Sequence, residues 1–390
     1  MKRLSIFITI LFLIAAGFAY STDSSLLEKP FVPVSPQIMG KGGAFIADAH
    51  GYNSLFYNPA GFARSDGSLT ISDTTAWVYA NPARFMDSLG NAGTEEITNF
   101  VNQEITTGGL GYGFSQGIGY VGGGLGLGAA FIMDSYLYGP TALGAEGDIT
   151  FTLGFIAGLG VPIDLLGIKF NLGADIRPMI RLHAPFAHDT ALDLLNAAMS
   201  GGDLLASLNS VNAMHGFGLG LDLGAIAELG NLNVGLSIRD FLGTSFKYTE
   251  NSFETIMDSL GSSGSFPDNG TEVTEDYHIP MDVGVGIAYY PDWGFMGALI
   301  EPSFYADLQD VIGVIRDKRS PWALLHMGTE VKMLSFLKLR AGLNQGYITL
   351  GGGIELLFLD LNFALFTREM GKHLGDRPNS GITIEGAIRF

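Results

Sequence analysis

Four cations sit at alternate positions in segments that otherwise alternate large apolar with small residues: Arg177 in IKFNLGADIR, Arg239 in LNVGLSIR, and Lys338 and Arg340 in LKLRAGLN. In an extended chain they fall on the face opposite the large side chains. A guanidinium grips a carboxylate through paired hydrogen bonds, so all four are candidate contacts for an acidic end group on a bound solute. The competing use is internal, with each cation paired to a carboxylate of the same wall or of a plug, such as Asp48. Phe253 and Met257, with Ile256 and Leu260, follow an i, i+3, i+4, i+7 spacing and form an apolar stripe on a predicted helix. They are candidates for contact with an apolar ligand, or for packing alone.

Other chemistries find no pattern. His50, His183, His188, His215, His278, His326 and His373 include no H-E-x-x-H pair, and His183 and His188 share one loop without a clear third ligand. There is no Gly-x-Ser-x-Gly elbow, and the Gly-x-Gly repeats at 122–128 and 216–220 are strand alternation rather than a strand-turn-helix phosphate loop. We expect no metal, no cofactor and no enzymatic activity. The net charge of −18 argues against nucleic acid, which needs a basic footprint.

What positions those residues is set by export and by period. Residues 1–19, MKRLSIFITILFLIAAGFA, read as a cleaved signal peptide: a basic start, an apolar run too short to span a bilayer, and small residues before the cut. The exported chain has no cysteine, so neither disulfides nor a lipidated thiol stabilise it. Hydrophobic residues make up 47% and charged residues only 15%, yet no run beyond the leader is long enough for a spanning helix.

From about residue 66 the chain breaks into segments of period two. In 168–177, Ile168, Phe170, Leu172, Ala174 and Ile176 share one face, and Lys169, Asn171, Gly173, Asp175 and Arg177 the other. Where a soluble sandwich would carry Thr, Lys and Ser on its outer faces, the second face here is glycine and scattered charge. That pattern fits a closed barrel with lipid outside and a crowded interior, because exposed sheet edges cannot persist in hydrocarbon.

About fourteen strands are predicted, near 67–79, 109–120, 123–137, 146–161, 166–181, 213–229, 230–243, 278–291, 296–309, 321–333, 335–344, 346–357, 358–368 and 380–390. Short connections alternate with long ones, at 80–108, 138–145, 182–212, 244–277, 310–320 and 369–379, which places both barrel ends in the periplasm. Helical patterns recur in the long loops, as at Ile97, Phe100, Val101 and Ile105, and in 191–199 and 203–208. Trp77, Tyr79, Tyr136, Tyr138, Tyr289, Tyr290, Trp293 and Trp322 lie at strand ends and are expected in aromatic girdles. Phe390 closes the last strand, ITIEGAIRF, which resembles the C-terminal aromatic signal read by barrel assembly machinery. The fold class is thus all-β: an outer-membrane antiparallel barrel over 66–390.

The segment 20–65 precedes the first strand and is too aromatic for a disordered tail. A barrel of this size has a lumen its own side chains cannot fill, so a plug there would bury those rings. The run Gly40-Lys41-Gly42-Gly43-Ala44, then Ala47-Asp48, then Asn58-Pro59-Ala60-Gly61, resembles the N-terminal signature of the FadL family of outer-membrane transporters for long-chain fatty acids and other hydrophobic compounds. The resemblance implies a fourteen-stranded barrel with an N-terminal hatch, passive hatch-gated passage of a hydrophobic small molecule, and residence among outer-membrane lipids of a diderm bacterium. It implies a lateral exit as well, for which the glycines of 108–128 are candidates, since glycine weakens ladders. A related PorV-like branch shares the signature but serves as a binding or scaffold partner for secreted clients. The signature does not separate the two branches.

Overall fold

The computed structural model describes residues 27–390 apart from 91–93, 142–143, 187–189, 191–196, 198–201, 203–207, 210 and 295–298. The expected leader lies outside the described residues, as does most of 191–199 and 203–208.

Period two becomes a closed, antiparallel barrel of 14 strands. They are β1 (Ser68–Tyr79), β2 (Leu110–Gly122), β3 (Leu125–Tyr138), β4 (Glu146–Leu165), β5 (Ile168–Phe186) and β6 (Asn212–Leu229). A split β7 (Leu232–Arg239 and Thr244–Ser252) and a split β8 (Tyr277–Ile279 and Asp282–Tyr289) follow. The circuit continues through β9 (Ile300–Leu308), β10 (Leu325–Met333), β11 (Leu337–Asn344), β12 (Tyr347–Leu356), β13 (Leu359–Glu369) and β14 (Pro378–Arg389). Closure is read at Thr75, which faces Glu385 of β14 on one side and Ser115 of β2 on the other. Several turns place both central residues in the left-handed region that twisted hairpins require, as at Leu166–Gly167 and Gln345–Gly346.

The outer face is a belt of large apolar side chains. Leu159, Leu219, Ile348, Phe363 and Ile384 are each more than half exposed and spread around the circumference. In water such a continuous surface would drive association, whereas in a bilayer it is the contact surface itself. No helix among the described residues is long and apolar enough to cross a membrane; the exposed apolar belt is carried by the strands.

Strand phase corrects two sequence expectations. Trp77, Tyr79, Tyr136 and Tyr290 are not girdle residues: they point inward, Trp77 donating to Asp134 and Tyr290 to Asp48. Trp77 and Tyr79 share a face of β1 with Asp73 and Thr75, and period two then leaves them no choice. Tyr289, Trp293 and Trp322 are exposed at strand ends as expected.

The second correction concerns 244–277, expected as a long loop; its first part continues the barrel wall to Ser252. Gly218 pairs with Phe246 and Leu223 with Ile238, so β6 spends residues 219–222 opposite residues 239–245 of β7. The surplus bulges, with Asp240, Leu242 and Gly243 at positive φ, which breaks the alternation and hides the upper half of the strand from a periodicity reading. The β2–β3 ladder, by contrast, is continuous from Leu110↔Leu137 to Gly122↔Leu125. On its other side β2 does not pair evenly: the β1–β2 register shifts between Thr70↔Gly119 and Asp73↔Gly117, within the glycines of 108–128.

Candidate functional site

Residues 31–64 fill the lumen as a hatch, and the glycine face of the wall is shaped to it. A Cβ on Gly173 would lie 2.1 Å from the Pro59 carbonyl oxygen, and one on Gly224 would lie 1.9 Å from Asn58 Oδ1. Phe62, fully buried, lies against Gly126 and Gly158, while Tyr52 and Leu55 lie against Gly117 and Gly119. Across the lumen, Gly328, Gly342 and Gly351 make room for Lys41, Gly42 and Gly40. The wall glycines are thus the negative of the hatch. Each hatch aromatic buried this way contributes about 1.5–3 kcal/mol relative to exposure.

The signature residues have distinct local tasks. Pro59 forces Asn58 into an extended conformation. There the Asn58 side chain caps the following turn, accepting from the Ala60 N–H at 3.1 Å, and donates to the carbonyls of Ile46 at 2.8 Å and Leu236 at 3.2 Å. Gly61 packs where a Cβ would come within 2.5 Å of Ser54 Cβ. Gly42 and Gly43 have φ of 68° and 87°, and a Cβ on Gly42 would also strike the Met327 carbonyl oxygen. Ala44 is fully buried beside Ala47, Ala288 and Tyr305. Asp48 accepts from Lys41 Nζ at 2.7 Å, and that ammonium sits 4.3 Å from the Tyr305 ring centroid.

Polar groups of the wall hold the hatch backbone. Asp307 accepts from the N–H groups of Phe45 at 2.7 Å and Ile46 at 3.0 Å. Gln309 donates to the Gly43 carbonyl and His326 Nδ1 to that of Gly42. Glu385 accepts from Gln37 at 2.7 Å and from Ser35 at 3.4 Å, and Glu228 takes Arg64. At the end bearing the long loops, Glu28 meets Arg181 at 2.9 Å, His183 at 2.7 Å and Tyr248 at 3.0 Å. Lys29 bridges Asp134 and Asp148 there. From sequence, Glu228 and Glu385 are placed on the inward face but without a partner, and Asp307, Gln309 and Arg181 are not singled out. The available signal was only that inward-facing acids such as Asp307 and Glu385 occupy glycine-face positions.

The four candidate cations all face inward, and each has a carboxylate partner. Arg177, fully buried, is shared by Asp222 and Asp240; Arg239 pairs with Asp282, Lys338 with Glu355, and Arg340 with Glu330 at 2.6 Å. They are not brought together: Arg177 and Arg239 flank the β7 break, while Lys338 and Arg340 lie on β11. Phe253 is buried with Ile256, Leu182 and Val211 under the loop helix Phe253–Ser263, so it packs; Met257, on the outer side, is 39% exposed. Val101 and Ile105 of the helix Thr94–Thr107 likewise pack on Ala145. At the long-loop rim, paired hydrogen bonds from Arg316 hold Asp317 below the usual carboxylate range. No metal-binding group of His, Asp or Glu occurs among the described residues, and His183 serves the Glu28 contact.

The fold and site define a plugged, lipid-facing barrel. No family model matches the sequence, and no curated protein does. Among solved structures the chain is similar to the Pseudomonas putida toluene transporter TodX, at 12% identity over 92% of this chain and 98% of that one with TM-score 0.45. It is also similar to the CymD monoaromatic hydrocarbon channel, at 13% identity over 91% and 97% with TM-score 0.49. A Pseudomonas aeruginosa FadL homologue gives 11% identity over 92% and 98%, with TM-score 0.43.

Proposed function

We propose that the protein is an outer-membrane passage for hydrophobic small molecules, exported behind a cleaved leader and gated by its hatch. The observation carrying this reading is the character of the lumen on the long-loop side of the hatch. Tyr79, Met179, Met214, Phe246, Tyr248 and Phe366 of the wall form one apolar cluster there with Phe31 of the hatch, joined by Val32, Tyr136 and Tyr277. A diffusion pore for polar solutes has a polar, wet interior. A solute at home among these side chains is apolar.

The pairing of the four candidate cations refines the class. A fatty-acid carboxylate would have to displace an acid already hydrogen-bonded to Arg177, Arg239, Lys338 or Arg340, and a separated buried pair costs about 3–5 kcal/mol. Uncharged hydrocarbons escape that cost and are the preferred solutes over long-chain fatty acids. Passage requires the hatch to shift, since Phe62, Pro59 and Gly40 are in contact with the wall.

The test is equilibrium binding of tritiated toluene and of tritiated oleate to purified protein in mild detergent, together with uptake by cells producing it. Saturable toluene binding with weaker oleate binding is expected. Failure to bind either, with a secreted protein co-purifying in stoichiometric amount, would replace transport by the client-binding alternative.

A further inference from the structure

The outside of a barrel is convex, yet over β11–β14 and β1 the wall holds a concavity of about 570 Å³. Its floor is Gly352 and Gly386, and its ridges include Leu339, Leu361, Phe363 and Ile384, each between 46% and 56% exposed. All six lie at positions whose side chains point away from the lumen, because their sequence neighbours Gly351, Arg340, Asn362 and Glu385 face inward toward the hatch. The groove is therefore continuous with the lipid-facing belt and is lined mainly by apolar side chains, with Thr74, Asn362 and Glu385 also reaching its lining.

Its height is readable from the ladder. Leu361 is two residues from the start of β13, and Ile384 is paired with Phe363. Ile384 precedes the strand end at Arg389 by five residues. With a rise of about 3.3 Å per residue and a tilt of about 40°, the groove occupies roughly the first 5–15 Å above the short-turn rim. That is the depth of one leaflet of a hydrocarbon core about 30 Å thick.

We infer that this groove seats one acyl chain of a lipid from the leaflet on the short-turn side. A glycine-floored slot between apolar ridges fits an unbranched chain, the Thr74 hydroxyl in its lining being already donated to Gln116, and acyl chains are the medium in contact with the belt at this depth. The inference rests on the membrane reading of the barrel and is independent of which solute crosses it. The same wall carries the hatch anchors on its other side: Glu385, between Ile384 and Gly386, holds Ser35 and Gln37. A seated chain and the hatch thus press on opposite faces of one backbone layer.

Filling the slot is the test. A Cβ on Gly386 meets only Leu361 Cδ2, at an ordinary 3.7 Å, so Gly386→Leu occupies the groove without disturbing the ladder. Ala174→Leu, on the outward face of β5, adds the same side chain elsewhere on the belt. Native mass spectrometry of each protein, reconstituted with a defined phosphatidylethanolamine and released from micelles, counts the lipids that survive activation. The expected result is one retained lipid for the unmodified protein and for Ala174→Leu, with at least tenfold less for Gly386→Leu. Equal retention by Gly386→Leu, loss by both variants, or no retained lipid in the unmodified protein overturns the inference. The heat-dependent gel shift of a folded barrel confirms that each variant is intact, and folding without any detergent would instead overturn the membrane reading beneath it.

Discussion

Asp175 and Asp222 stand directly opposite each other across the β5–β6 ladder, both facing inward and both buried. Like charges so placed repel, and what joins them is Arg177, in contact with Asp222 and 3.8 Å from Asp175. The bulge in β7 brings a third acid, Asp240, to the same guanidinium at 3.1 Å. Arg177→Met therefore leaves three acids without their shared cation and destabilises the barrel by about 3–5 kcal/mol. Asp175→Asn, which relieves the opposition, costs much less. Urea unfolding in detergent, followed by tryptophan fluorescence, ranks the two; equal losses would show that the cation is not the hub.

The fit between hatch and wall predicts a graded response to wall glycines. Gly173→Val meets the backbone of Pro59 and cannot be absorbed by a side-chain rotation, so the hatch is displaced while the ladder persists. Single-channel conductance in planar bilayers should rise severalfold over the unmodified protein. Gly261→Ala, where nothing lies within 4 Å, serves as the control in a loop helix. It should leave conductance unchanged and stabilise that helix by up to about 1 kcal/mol.

Asp307 carries two hatch N–H groups at once. Removing the acceptor with Asp307→Ala leaves both buried donors unsatisfied, at about 1–3 kcal/mol each, while Asp307→Asn retains one carbonyl oxygen. Hydrogen exchange at Phe45 and Ile46 should accelerate strongly in the alanine variant and modestly in the asparagine variant. Unchanged protection in both would mean that packing alone holds this turn.

Glu28 fastens the described start of the chain to β5 and β7. In Glu28→Gln the charge that answers Arg181 is gone, and residues 27–32 should loosen from the wall. Because the chain has no native cysteine, a reporter at Leu27→Cys is unambiguous. Its alkylation by a membrane-impermeant maleimide should be slow in the parent and at least tenfold faster with Glu28→Gln.

Much of this architecture is legible along the chain because it is local. The alternation in IKFNLGADIR fixes which side of β5 meets lipid, and Asn58-Pro59 dictates an extended residue followed by a turn wherever that segment lies. Trp77 and Tyr79 were misplaced because amphipathic rings at a strand end suit a headgroup layer equally well; only the phase set by Asp73 and Thr75 decides. The upper half of β7 was missed since the three surplus residues within 239–245 destroy periodicity while the ladder resumes beyond them. The seats of the hatch were out of reach for another reason. Asp307 and Glu385 lie some 260 and 350 positions from the groups they hold, and no local pattern encodes that meeting.

That separation has a consequence for assembly. The hatch precedes the barrel in the chain, yet one of its anchors, Glu385, belongs to β14, the last of the barrel strands and the one that meets β1 at the seam. Neither the seam nor the Gln37 contact exists until β14 arrives. Shutting the cylinder and stopping it are therefore a single event, and a nascent chain halted before β14 would be left both open-edged and unstoppered.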